Sequence, residues 1–329
     1  MPTMATIFRA KEETPKGPFS PGVLSDAFMV LQYTVANGRF KDEGRNSARR
    51  LGVLPGMGSS GSNRSRGLKA SGKALPSFAV ALALSVLCFQ VLPADTLAES
   101  VLQSAALAAI AGGGVAFGKP TAFRRARVTR TSLGGWAPFV LGVGMVAGAA
   151  LWWLAGFRPA DVSLSGATVV RVVLVLSSCL MVGVFEEGVF RVLALEAFVP
   201  RLGALRVAVA SAILFGMLHA SFGEAEALDG AVAWTQAILK PLQAGLFGFF
   251  MAAWYLKGCG LWGLVGVHAV FDLVYLGPLM LMTGGQPAYV TGSPADLAIL
   301  AGTTVLLLAP ACAAWKAVRN APGSNGSQT

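Results

Sequence analysis

Charge is scarce in this 329-residue chain: 13% of its residues are Asp, Glu, Lys or Arg, against 54% hydrophobic. Soluble domains carry roughly a quarter charged residues, so an ordinary water-soluble globular protein is excluded. Histidine is rarer still, at two residues, and the four cysteines stand far apart with no CxxC spacing. A zinc knuckle and a disulfide framework are thereby excluded, and Cys88, Cys179, Cys259 and Cys312 read as packing residues. No ten-residue stretch alternates apolar and polar side chains, which argues against a membrane barrel. No GxSxG occurs and no short signal-peptide pattern opens the chain.

What is present is a series of apolar runs. Eight stretches are long enough to cross a ~30 Å hydrocarbon core as helix: 75–93, 101–118, 135–157, 167–199, 204–222, 231–256, 261–282 and 296–315. The fold class that follows is all-α, a polytopic transmembrane helical bundle of about eight spans, occupying residues 75–319. Gly114 and Gly118, and Gly144 and Gly148, have the four-residue spacing that lets helices approach closely, though glycine is also simply common in membrane helices. The tryptophans at 136, 152, 153, 234, 254, 262 and 315 mostly fall near span ends and read as interface anchors.

The charges that remain are mostly topological. Residues 1–74 hold 12 Lys/Arg against 5 Asp/Glu, and the loop 119–130 adds five basic residues and no acid. The connections 94–100, 158–166, 220–230 and 283–296 together hold one basic residue and seven acids. With an even number of spans, both termini then fall on the positive, cytosolic side. This asymmetry accounts for the net charge of +10 without nucleic acid as a partner; the partner is the lipid bilayer. Residues 1–74 read as a basic, disordered tail. Their Ser/Arg-rich second half has transit-peptide chemistry, so an organellar membrane stays open, although Glu12, Glu13, Asp26, Asp42 and Glu43 upstream speak against it. Residues 320–329 are a short polar tail.

A few charges have no topological reason. Glu186, Glu187, Arg191, Glu196, Lys240 and Asp272 fall inside spans, as do both histidines, His219 and His268. Each costs several kcal/mol in the membrane and so usually faces protein or water and carries function. Counted along the helices at ~1.5 Å per residue, Glu187, His219, His268 and Asp272 reach similar depth on three separate spans. Glu187 and Arg191 share a helix face and can pair, as can His268 and Asp272; Glu186 is turned about 100° away and is left for chemistry. Glu196, near the cytosolic end, and Lys240, which snorkels or lines a cavity beside Pro241, have structural readings. The set suits attack of water on an amide. A buried carboxylate takes a proton from water, a histidine holds the water or protonates the leaving amine, and a donor such as His268 stabilises the oxyanion. The same groups could also bind a divalent metal. Ser178 and Cys179, two turns before the glutamates, are weak nucleophile candidates.

At these residues the sequence resembles a known family. EEGVFR at 186–191 matches EExxxR, FGMLH at 215–219 matches FxxxH, and HAVFD at 268–272 matches HxxxN/D. Together and in this order they resemble the CPBP intramembrane proteases, which include type II CAAX prenyl endopeptidases and bacteriocin-processing enzymes. The resemblance covers about residues 170–276. It implies a helical membrane bundle with a site inside the bilayer reached from the cytosolic side, acting on a protein or peptide substrate that is prenylated in part of the family. It also implies Glu186 as activator of water, Glu187 and Arg191 in support, His219 holding water or metal, and His268 with residue 272 at the oxyanion. Zn2+ or another divalent ion on Glu186, His219 and His268 is one version of that chemistry, and glutamate alone is the other. Many members carry Asn where this chain has Asp272, and ionised Asp cannot donate to an oxyanion; Asp272 is then protonated, orients His268, or leans toward a metal. Two other functions stay open. One is a proton- or cation-coupled transporter, which also uses intramembrane carboxylates, although no internal repeat is present. The other is an inactive scaffold of the same fold.

Overall fold

The computed structural model describes residues 72–123, 133–156, 165–283 and 288–320, and among them there is helix and no strand. In chain order the helices are α1 (Ala74–Val91), α2 (Leu97–Gly118), α3 (Ala137–Leu154), α4 (Gly166–Glu186), α5 (Ala194–Leu202), α6 (Ala204–Met217), α7 (Phe222–Leu228), α8 (Ala231–Leu256), α9 (Leu261–Tyr275), α10 (Gly277–Thr283) and α11 (Pro294–Arg319). Nearly all of the tail 1–74, the arginines of the loop 119–130, most of 158–166 and the final residues lie outside the described part.

Seven helical stretches are long and apolar enough to cross a membrane: 74–91, 97–118, 134–154, 166–202, 204–228, 231–256 and 294–319. The chain is an integral membrane protein. The eighth expected span, 261–282, is instead two helices. α9 has 15 residues, or ~22 Å of rise, and α10 restarts after Leu276. Pro278 is the physical reason: it has no N–H to give, and its ring crowds the carbonyl one turn back. The expected span 204–222 is likewise interrupted, between α6 and α7, at the residues around His219. Two starts lie earlier than hydropathy alone indicates, because polar caps fix them. At α2 the Thr96 hydroxyl accepts from the Glu99 N–H while the Glu99 carboxylate accepts from the Thr96 N–H. At α11 Ser293 accepts from the Asp296 N–H, with Pro294 in the first helical position. These caps, reciprocal at α2 and one-sided at α11, satisfy donors that the helix itself leaves free.

α8 is the central helix. Of its most apolar stretch 67% is buried within the protein, against 28% for α2, and it packs between α6 and α11. α9 sits against α3 and α4, and α2 lies between α1 and α4. Outward faces are apolar, as a lipid-facing surface requires: on α1, Val80, Leu84, Leu87 and Val91 are exposed along one stripe. Both glycine pairs are close approaches. A Cβ on Gly148 would lie 2.0 Å from the Val274 carbonyl oxygen, and one on Gly114 would lie 2.9 Å from Leu193. Two expectations about single residues fail. Trp254 is among the largest fully buried side chains, because α8 is interior throughout Phe247–Tyr255; it anchors no interface. Cys312 is exposed, unlike the three buried cysteines.

Candidate active site

The 37-residue span 166–202 changes its winding where the charges begin. From Glu187 to Leu193 it is a π-helix, and the Ala194 N–H bonds to the Val189 carbonyl five residues back. Such wide turns inside α-helices cluster at functional sites. Here the Phe190 carbonyl also accepts from the Ser211 hydroxyl of α6 at 2.9 Å, which ties the wide turn to its neighbour. Glu186 closes the regular helix and Glu187 opens the wide turn, so the two carboxylates leave it in different directions.

Both reach the same imidazole. Glu187 Oε1 lies 2.7 Å from His268 Nδ1, and Glu186 Oε2 lies 3.1 Å from His268 Nε2. Asp272 Oδ2, one turn along α9, is 3.5 Å from the same Nε2. A carboxylate accepts only, so Nδ1 carries a proton toward Glu187 and the ring is oriented by it. Nε2 then faces two carboxylates, and at least one further proton must lie among these three groups. Glu186 is therefore not left apart from the other groups, as the helix geometry alone suggests; it shares His268 with Glu187. The other Glu187 oxygen, Oε2, is 3.3 Å from Arg191 Nε. The Arg191 guanidinium is fully buried and lies over the Phe215 ring, 4.1 Å from its centroid. Space for it exists because residue 248 is glycine: a Cβ there would come within 2.8 Å of Phe215 and 3.0 Å of Arg191 Nη2. Arg191, Glu187, His268 and Glu186 thus form one connected row from α4 and its wide turn to α9.

His219 enters from the turn after α6. Its N–H bonds to the Gly216 carbonyl and that of Ala220 to Met217, three residues back in each case, which tightens and ends the helix. Its Nδ1 is 2.9 Å from the Phe215 carbonyl oxygen. That oxygen can only accept, so Nδ1 is the protonated nitrogen and Nε2 has a lone pair to offer. Glu186, His219, His268 and Asp272 line one cavity of about 190 Å³. The six residues that the sequence assigns to the site are therefore brought together, four on the cavity wall and Glu187 and Arg191 behind it. Glu186 Oε2 is buried and aligned for no hydrogen bond, as are Glu187 Oε2 and the three Arg191 nitrogens.

Among the polar residues on the cavity wall that sequence reasoning did not assign to the site are Lys240 and Tyr289. Lys240 carried a signal, a lone cation in the middle of an apolar span. Tyr289 carried none, being one residue of a connecting segment. Burial and the nearby Asp272 and Glu186 charges push the Tyr289 phenol pKa up, so it keeps its proton. Cys179 lines the cavity too. Glu196 does not belong to the site. It is buried, with its oxygens taken by Lys119 Nζ and the Tyr255 hydroxyl, each at 2.8 Å.

The set Glu186, His219 and His268 fits a metal poorly. Among the described residues no group of three or more His, Cys, Asp or Glu is arranged to hold an ion.

Fold and site together define a polytopic helical membrane protein in which carboxylates and imidazoles meet in a cavity within the bundle. Residues 168–274 match the family model for type II CAAX prenyl endopeptidase, Rce1-like proteins, and this segment, about a third of the chain, holds every residue of the row above. No curated protein and no solved structure matches the chain.

Proposed function

We propose that the protein is an intramembrane endopeptidase that hydrolyses a peptide bond with a water activated by Glu186. The observation that carries the reading is the His268 ring, held by Glu187 on one nitrogen and turned with the other toward Glu186 beside the cavity. In this reaction water gives one hydrogen to Glu186 and directs the other to the His219 Nε2 lone pair, which positions it. The water oxygen attacks the scissile carbonyl as Glu186 takes the proton. Negative charge developing on the carbonyl oxygen is met by the imidazole of His268, whose proton on Nε2 is kept in place by Asp272. When the C–N bond breaks, Glu186 returns its proton to the leaving amine, so one water is consumed and one acid and one amine are released. Arg191 acts through Glu187 as a positioning residue. The poor fit to a metal supports the glutamate version of this chemistry, and no step is routed through an ion.

The family's description makes a prenylated CaaX peptide the first substrate to try. Purified full-length protein in liposomes is incubated with such a peptide, and release of its last three residues is followed. Cleavage by the wild type that is lost in Glu186→Ala and His219→Ala supports the reading. Cleavage that survives both changes discards these roles, and ion flux sensitive to the same changes without cleavage of any peptide favours transport. A chelator series decides between metal and glutamate: full activity at high chelator is the result expected.

A further inference from the structure

Tyr289 stands on the cavity wall but takes no part in the reaction above. The segment that carries it, residues 288–293, is not helical, yet it is tied to three helices. The Val290 N–H donates to Glu224 Oε2 of α7 at 3.3 Å. The Thr291 and Gly292 N–H groups both donate to Gln236 Oε1 of α8, at 3.0 and 2.9 Å. The Gln236 amide donates back to the Ser293 carbonyl at 3.2 Å. The Thr291 hydroxyl donates to Asp296 Oδ2 of α11 at 2.6 Å. Gly292 turns the chain at a φ of +70°, a conformation that glycine adopts without steric cost. Gln236 is itself buried, so this strap is fastened to the interior of the bundle.

What the strap delivers is a phenol. The Tyr289 ring stands 6.0 Å from the ring of His219, and its centroid is 4.6 Å from Lys240 Nζ. Burial, with the charges of Asp272 and Glu186 acting on its oxygen, keeps it protonated. Tyrosine hydroxyls in protein interiors usually find a partner; among the described residues this one makes no hydrogen bond. The reaction has a use for such a donor. Negative charge develops on the scissile carbonyl oxygen, and in the mechanism above only His268 Nε2 meets it. That nitrogen already faces Glu186 Oε2 at 3.1 Å and Asp272 Oδ2 at 3.5 Å, so its proton is shared before a substrate arrives. The Lys240 ammonium is engaged as well: it donates to Gln243 and lies in the field of Asp272 and Glu186. An oxygen that gains charge beside carboxylates is stabilised by a further, uncommitted donor held in place beforehand. We propose that Tyr289, positioned by the strap on Gln236, donates a hydrogen bond to the scissile carbonyl oxygen as it becomes an oxyanion. No bond is made or broken at the phenol, which keeps its proton throughout. This rests on the hydrolase reading above. Tyr289 is then a catalytic residue, and Gln236 a positioning residue that acts through it.

The test uses purified full-length protein in liposomes and the prenylated CaaX peptide of the assay above. Tyr289→Phe keeps the ring and removes only the O–H. It is expected to lower kcat by about 10–100-fold, the scale of one hydrogen bond to a charged group, with KM changed by less than about threefold. A phosphonate analogue of the peptide, tetrahedral and anionic at the scissile position, binds this variant more weakly by the same factor, while the cleaved products bind both forms alike. Gln236→Ala loosens the strap. It lowers kcat in the wild type, and by less than about threefold further in Tyr289→Phe, because both changes act on one donor. A kcat within about threefold of the wild type in Tyr289→Phe overturns the proposal. So does a loss confined to KM, which makes the phenol a wall of the substrate pocket; the hydrolase reading stands in either case. Losses that multiply in the double variant overturn it too, since strap and phenol then act apart. Should Tyr289→Phe not fold, Gln236→Ala decides: kcat and analogue affinity falling together at unchanged KM support the proposal, and their retention overturns it. Cleavage of no peptide by the wild type overturns the hydrolase reading, and this donor with it.

Discussion

Two buried acidic centres in this bundle lie nine residues apart on one span and differ in a single respect. Glu196 is 1% exposed and both its oxygens have donors, Lys119 Nζ and the Tyr255 hydroxyl. Glu186 and Glu187 are buried as well, yet each keeps an oxygen aligned for no hydrogen bond, and so do all three Arg191 nitrogens. Buried polar groups are as a rule satisfied, and each exception needs a reason. Burial of charge alone therefore does not separate a strut from a site. Glu196 joins α5 to the end of α8 and the segment after α2, and is complete. The Glu186 centre is incomplete, and Glu186 faces a cavity, which the proposed function fills with water and substrate.

That contrast can be broken by substitution. The largest effect is expected for Glu186→Gln, which removes the base but keeps the shape: peptide cleavage falls by about 10²–10⁴-fold while thermal unfolding in detergent stays near that of the wild type. Equal activity in this variant would make Glu186 a strut like Glu196. Arg191→Met removes one partner of a buried pair and leaves Glu187 uncompensated, which costs about 3–5 kcal/mol and is read as a large drop in unfolding temperature together with lost activity. Glu196→Gln is the reverse case. It weakens two good hydrogen bonds and lowers stability by about 1–3 kcal/mol, while activity measured well below the unfolding temperature is retained. Gly248→Ala forces a methyl group against Phe215 and Arg191, an overpacking worth about 1–3 kcal/mol; activity falls with it because the row Arg191–Glu187–His268 shifts. The smallest effect is expected for Asp272→Asn. An amide can hold the His268 nitrogen as an acceptor, so kcat changes by tenfold or less, about one neutral hydrogen bond. A loss as large as that of Glu186→Gln would make Asp272 a reacting group.

Much of this was legible in the residues. The apolar runs mark the spans, and 231–256 coincides with α8, because hydropathy and backbone satisfaction in lipid leave a segment that oily no alternative but helix. Charges inside such runs are costly enough to stand out singly, which is how Glu186, Glu187, Arg191, His219, His268 and Asp272 were found. Lys240 was visible by the same signal but undecided, since a lysine can reach along a helix toward water as easily as into a cavity. Span ends were less legible where caps or Pro278 set them, because a window average does not weigh one hydroxyl or one missing N–H.

The sequence alone determined that this chain is a helical membrane bundle and which of its ionisable side chains have no business in lipid, because the cost of burying charge and unsatisfied backbone is local and can be read residue by residue. Tertiary structure decided the partners. The wide turn at 187–193 aims two adjacent glutamates at opposite nitrogens of one ring, the turn at His219 brings in the second imidazole, and the inward face of α8 sets Lys240 on the cavity and Trp254 in the core. Those outcomes depend on how helices far apart in sequence lean on one another, which periodicity along one helix does not contain.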